Sequence, residues 1–237
     1  LTPFSKFELK GDKIYEELQK ICTANIKNEI GRCTYTQMLN LDGGIEADLT
    51  VVCISENHFR IIGAAATRER DKFHIKKHIN SNIELNDVTD VYVCLGVFGP
   101  KSRELMKEIS NDDFSNENFK FGCSKSVSID NKDIWVQRLS YVGEIGYELY
   151  IKFNEAKLIF DKIINIGKKY NLSLCGAHAM DILRMESGFL HWGHDISPEE
   201  NQLEAGLKFA ISFKKNFDFL GKDVLLKIIQ NKNKKKF

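Results

Sequence analysis

Apolar and polar positions alternate through "TYTQMLNLDGGIEADLTVV", residues 34–52, on both sides of Gly43 and Gly44. That pattern predicts two strands joined by a tight connection. Further strands are expected at 4–11 and 58–62, with a buried strand at 90–98 and others at 119–129 and 133–153. Helical periodicity marks 12–22, a charged segment at about 66–79, and 154–168; Gly99-Pro100 opens a helix running to about Ile109. "AHAMDILRMESG" reads as a helix closed by Gly188, "EAGLKFAISF" as a mixed apolar segment and "GKDVLLKIIQ" as a last amphipathic helix. Strands mixed with helices without strict alternation predict an α+β fold. Within it Asp48 is out of place: it stands in a strand between Ala47 and Leu49, and Asp is depleted in strands.

A repeat gives that position a counterpart. At an offset of one hundred, residues 35–49 align with 135–149, matching Gln37 with Gln137, Leu39 with Leu139, Gly43 with Gly143, Ile45 with Ile145 and Leu49 with Leu149. Five identities in fifteen, against roughly one at average usage, indicate a duplicated hairpin. Asp48 falls opposite Glu148, and a strand–Gly–helix unit precedes each copy, at Gly11 and Gly99. Two such halves about an approximate dyad would bring both carboxylates toward one central region. A lone strand carboxylate is ordinarily a solvent-face residue, but two at matching positions beside turn glycines point to function. Burying them requires hydrogen-bond donors or a cation, and a ligand rich in N–H groups can supply these.

Composition narrows the classes. With 43% hydrophobic residues, 28% charged and a net charge of +1, the 237-residue chain has no field to attract nucleic acid or a membrane surface, and no apolar run of about 20 residues spans a bilayer. "LTPFSKFELKG" is not a signal peptide; lacking an initiator Met, it reads as the start of a processed chain or fragment. Six cysteines without a C-x-x-C pair read as reduced, mostly buried thiols. His74 and His78 read as a solvated helix face; His191, His194 and Asp195 in "HWGHD" lack a distant third ligand, so no metal is expected. The tail "NKNKKKF" reads as a linker stub.

In order along the chain, "YTQMLNLDGGIEADLTVV", "RIIGAAATRERD", "YVGEIGYELY" and "DILRMESGFLHWGHDI" resemble the folate-binding domain of the glycine-cleavage T-protein (aminomethyltransferase) family. The similarity is closest to the C-terminal half of dimethylglycine and sarcosine dehydrogenases, which share the "WGHDISPEENQLEAGL" type of segment. The resemblance implies duplicated, intertwined antiparallel-sheet plus helix subdomains. Its domain would occupy residues 1–225, with pseudo-repeats at about 1–88 and 89–170, a helical segment at 171–225, and 226–237 as a stub toward a C-terminal β-domain. Carried over by position, Asp48 matches the essential aspartate, and Tyr141 and Glu148 the family's Tyr–Glu pair. Arg184 matches a family arginine and Trp192 stands at a frequent tyrosine; Met38, Leu39 and Ile62 join the folate-binding set. Met180 and Ala64 depart from the arginine and asparagine common there.

The implied chemistry fits these residue types. A pterin presents an amino group beside a ring N–H, a flat donor pair suited to Glu148; Tyr141 and Trp192 offer flat apolar walls. Asp48 would stabilise positive charge developing on folate nitrogen and take a proton. The implied role is capture of the carbon from amine demethylation as 5,10-methylenetetrahydrofolate. Tetrahydrofolate would be the cofactor, a methylated amine or its iminium the carbon source, and an upstream flavin (FAD) domain the oxidant, since no G-x-G-x-x-G unit occurs in this chain. The compartment would be the cytoplasm of a bacterium or a mitochondrial matrix. The alternatives are a stand-alone aminomethyltransferase served by a lipoyl carrier, and a non-catalytic module like the phosphatase regulatory subunits of this architecture.

Overall fold

The computed structural model describes residues 1–232. Backbone contacts divide the chain into two compact units: one of Phe4–Asp87 with the chain from His191 onward, the other of Leu1–Pro3 with Val88–Leu190.

The first unit holds a five-stranded antiparallel sheet of β1 (Ser5–Lys10), β2 (Cys33–Leu39), β3 (Ile45–Ser55), β4 (His58–Gly63) and β5 (Glu84–Asp87), in the order β2-β3-β4-β1-β5. Alternation assigns its faces. Ala47, Leu49, Val51, Phe7, Leu9, Phe59 and Ile61 form one core, onto which α1 (Ile14–Ile21) packs Ile14, Leu18 and Ile21. α2 (Arg68–His78) adds Ile75. The opposite face carries Gln37, Asp48, Ile62, Arg60 and Glu8. Gly44 admits no side chain, because a Cβ there would stand 1.8 Å from the carbonyl oxygen of Pro198. The unit ends in α6 (Lys222–Lys232), the amphipathic helix expected from "GKDVLLKIIQ"; the rest of the basic tail lies outside the described residues.

The second unit holds a four-stranded antiparallel sheet of β6 (Tyr92–Phe98), β7 (Ser124–Ile129), β8 (Lys132–Gln137) and β9 (Gly146–Lys152), in the order β6-β9-β8-β7. α3 (Ser102–Ile109) and α4 (Ala156–Gly167) cover one face, packing Leu105, Met106, Ile159 and Ile163 against Val97, Val127, Val136, Leu149 and Ile151. α5 (Ala177–Glu186) buries only Arg184, and Gly188 follows it at φ 72°.

The expected elements are present, with four corrections. The strand expected at 119–129 begins only at Ser124, because Phe119 turns into the core. Residues 138–145 interrupt the region read as strand at 133–153. Segment 90–98 is an edge strand in which only Cys94 and Val97 are buried. The short polar β5 gave no period to read, with none of its four residues buried. Among the described residues, no helix is long and apolar enough to cross a membrane.

Candidate active site

The duplicated hairpin is real at the level of hydrogen-bond register. Gln37 lies directly opposite Asp48 across β2 and β3, and Gln137 lies directly opposite Glu148 across β8 and β9. Gly43 and Gly143, in the two connections, take φ 82° and 75°. In each sheet the carboxylate points away from the helix-packed core, which explains how Asp48 is tolerated in a strand: its neighbours Ala47 and Leu49 fill the core instead.

In the first unit Asp48 is half-buried, and Gln37 Nε2 donates to its Oδ1 at 2.6 Å. Burial raises the Asp48 pKa to about 6, against the opposing pull of hydrogen bonds from Gln37 and Tyr35. Gln37 is itself held: the amide nitrogen of Gln202 donates to its Oε1 and also lies 3.0 Å from Thr23 Oγ1, all three residues being fully buried. Gln202 belongs to the "WGHDISPEENQLEAGL" segment, so this segment fixes the amide that faces Asp48. A second carboxylate, Asp71 on α2, is buried and accepts from Thr67 Oγ1 at 2.7 Å. Burial raises its pKa to about 7, and the charges of Glu46 and Asp48 add to the rise.

α2 is not the solvated face its charges suggested. His74 is buried, its pKa lowered to about 4 chiefly by that burial, with its ring 4.5 Å from that of His78. Trp192 is half-buried; its Nε1 donates to the Ile45 carbonyl at 2.9 Å, and the Arg70 guanidinium lies 4.8 Å over its ring. Arg70 also binds Glu46 at 2.8 Å. Met38 lies in the core, Leu39 is fully buried against Gly221, and Ile62 sits on the Asp48 face of the sheet. The rings of His191 and His194 lie 4.6 Å apart, tilted by 44°, while Asp195 Oδ2 accepts the His191 backbone N–H at 2.8 Å. Among the described residues, no group of three His, Cys, Asp or Glu converges as metal ligands.

In the second unit Glu148 is buried and accepts from Tyr150 OH at 2.8 Å. Across β6 its register partner is Gly96. A Cβ on Gly96 or on Gly146 would come within 2.4 or 2.2 Å of the Phe98 ring, so these two glycines let that ring lie against the backbone beside Glu148. Phe98 gave no signal of its own in the sequence; the two glycines were the available one. Tyr141 stacks on Phe189 at 6.1 Å and 17°, and its OH donates to the Leu190 carbonyl at 2.8 Å. Arg184 is buried, paired with Asp181 at 2.7 Å and donating to the Phe189 carbonyl at 3.1 Å.

The chain is 38% identical over 229 residues to a 4-methylaminobutanoate oxidase (formaldehyde-forming) of Paenarthrobacter nicotinovorans, covering 96% of this chain and 28% of that protein. It is 32% identical to mitochondrial dimethylglycine dehydrogenase of Homo sapiens, covering 96% and 27%, and 34% identical to an aminomethyltransferase of Thermoanaerobacter sp. strain X514, covering 96% and 62%. The chain thus spans about a quarter of the length of the two amine-oxidising relatives. The crystal structure of glycine cleavage system aminomethyltransferase T from Bartonella henselae superposes with a TM-score of 0.85 at 22% identity, covering 97% of this chain and 62% of that one, which shows the shared fold. The family described as "GCVT N-terminal domain" matches residues 1–215, and on that match and these relatives the chain belongs to the GCVT N-terminal domain family.

Proposed function

We propose that the chain is the tetrahydrofolate-binding, one-carbon-transfer part of an enzyme that demethylates a small amine. The observation that carries this reading is the matched Gln–carboxylate pair of the two hairpins, one acid raised to about 6 and the other set beside an aromatic ring lying on two glycines. Folate, when bound, supplies a nitrogen that accepts the one-carbon unit. Glu148 accepts the amino and ring N–H pair of the pterin, with Phe98 as a flat wall. Tyr141 and Arg184 hold the remainder of the ligand. Trp192 and Ile62 wall the Asp48 face, while Met38 supports the strand from the core side and Leu39 from its end. Asp48, preorganised by Gln37, stabilises developing positive charge and takes the proton released as the carbon is transferred.

A flavin domain elsewhere in the assembly would oxidise the amine, as the likeness to dimethylglycine dehydrogenase and to a formaldehyde-forming oxidase supports. The test is turnover of a methylated amine by the full-length polypeptide, with and without tetrahydrofolate. Accumulation of 5,10-methylenetetrahydrofolate in place of formaldehyde is expected. Indifference of the product to folate would sink the reading. The 34% identity to an aminomethyltransferase favours one second reading, transfer from an aminomethylated lipoyl carrier. Tetrahydrofolate-dependent ammonia release from that carrier, without amine oxidation, would select it.

A further inference from the structure

The two hairpins repeat the same pair, yet their glutamines are bonded differently. Gln37 uses both ends of its amide, one on Asp48 and one on Gln202. Gln137 has no exposed surface, and among the described residues neither its Oε1 nor its Nε2 has a hydrogen-bond partner. Buried polar groups are nearly always paired, and an unpaired one is destabilising. A position that leaves both ends of one amide unmet is set for a ligand.

Its surroundings say which kind. Gln137 stands directly opposite Glu148, on the sheet face away from α3 and α4, and opposing side chains lie about 4.5–5.5 Å apart. Two such groups can read adjacent positions on the edge of one heterocycle. On the far side of Glu148 is Gly96, under the Phe98 ring, so carboxylate, amide and aromatic wall share one face. Trp135 Nε1, two residues before Gln137, is also buried without a hydrogen-bond partner among the described residues.

We infer that Gln137 is a specificity-determining residue of the pterin site, its amide reading the ring substituent next to the amino and N–H pair held by Glu148. The inference rests on the folate reading above and adds a residue to it. In a 2-amino-4-oxo ring, an amino group, a ring N–H and a carbonyl stand in a row. Glu148 takes the two donors, and the Gln137 amide N–H donates to the carbonyl. In a 2,4-diamino ring the last position is a donor, which Gln137 meets by turning its amide, and the ring nitrogen between the two amino groups carries no hydrogen, so Glu148 keeps only the 2-amino donor.

The test measures binding of 5-formyltetrahydrofolate (4-oxo) and aminopterin (4-amino) to the full chain and to three variants. Gln137→Glu presents only acceptors, so it should weaken the oxo ligand while holding or improving the diamino one. The ratio of the two Kd values should swing by about ten-fold or more, the size expected when a buried hydrogen bond is mismatched. Gln137→Leu should weaken both ligands. Without ligand it should raise the thermal midpoint, because an unmet amide is gone. Glu148→Gln should weaken the oxo ligand whatever Gln137 does. An unchanged ratio in Gln137→Glu, with Glu148→Gln still weakening the oxo ligand, overturns the role of Gln137 and leaves the folate reading standing. Glu148→Gln without effect on the oxo ligand overturns the folate reading itself. A ligand-free Gln137→Leu less stable than wild type would show the amide to be a structural group, and would also overturn the inference.

Discussion

Gln37 donates its amide to Asp48 Oδ1 at 2.6 Å, and the carbonyl end of the same amide is already taken by Gln202. Because Gln202 donates, Gln37 is fixed with its nitrogen toward the carboxylate and cannot turn its oxygen there. Asp48 is thereby oriented by a directed hydrogen bond that opposes the rise in pKa caused by its burial.

Asp48→Asn separates chemistry from stability. Loss of a preorganised charge at a developing cation costs about 10²–10³ in rate, so one-carbon transfer should collapse while folate affinity changes little. Stability should move the other way. Folding raises this pKa from the usual carboxylate range to about 6, so the folded state holds the proton more tightly, and the associated stability is whole below about pH 4 and lost as pH rises through 6. The asparagine variant should therefore exceed wild type at pH 8 by up to about 3 kcal/mol, with the gap closing toward pH 4. Thermal midpoints across that range, beside single-turnover transfer rates, check both halves.

Gln202→Leu tests the relay without touching the carboxylate. Freed of its anchor, the Gln37 amide no longer holds its nitrogen on Asp48, and a hydrogen bond that lowers the Asp48 pKa weakens. The limb of the pH–rate profile governed by Asp48 should move to higher pH, with several-fold loss at pH 6 and near-normal rates at pH 9. The KM for folate should be unchanged. An unshifted profile with uniformly lower rates would mean that Gln202 only supports packing.

The sequence disclosed these parts unevenly, for physical reasons. β3 was legible because alternation about Gly43 and Gly44 encodes which side chains face the core, and the Gln37/Gln137 match encoded the register of both carboxylates. Gln202 was not, since it reaches Gln37 across 165 residues of chain and no local pattern records such a contact. Segment 90–98 misled because its apolar letters describe composition, while its place at the sheet edge is set by topology. In α2 the count of charges hid the depth of His74 and Asp71, because exposed lysines share the helix with them.

Lys215 closes the end of α1. Its ammonium donates to the carbonyls of Gln19, Cys22 and Ala24 at 2.6, 2.5 and 3.0 Å, where a helix C-terminus leaves carbonyls without amide partners. Burial lowers its pKa to about 8, so at pH 7 it remains charged. Lys215→Met keeps the length but deprives three acceptors of a charged donor, and should destabilise the fold by about 2–3 kcal/mol, read from denaturant midpoints at unchanged m-value. Lys215→Arg should not restore it, because a planar fork cannot direct its donors as a compact ammonium does. Full stability in the methionine variant would mean that water satisfies these carbonyls.

Glu8 sets the acid limit of the first unit. It accepts from Arg60 Nη2 at 2.6 Å, and its other oxygen lies 3.2 Å from His58 Nε2, with Arg60 buried. The nearby His58 ring, together with the Arg60 hydrogen bond and charge, outweighs burial and holds the Glu8 pKa at about 2. A carboxylate depressed by folding contributes stability that is whole above its unfolded pKa and lost as pH falls through the folded one, so the window runs from about pH 4.5 down to 2. The contribution at neutral pH is about 3 kcal/mol. Glu8→Gln should lose that amount at pH 7, and its deficit should shrink through the window until both proteins unfold alike in acid. Replacing both partners, Glu8→Met with Arg60→Met, should recover much of the loss, because two apolar side chains leave no buried charge unpaired. A Glu8→Gln deficit that stays constant between pH 7 and 3 would place its origin in side-chain packing and refute the ion pair as its cause.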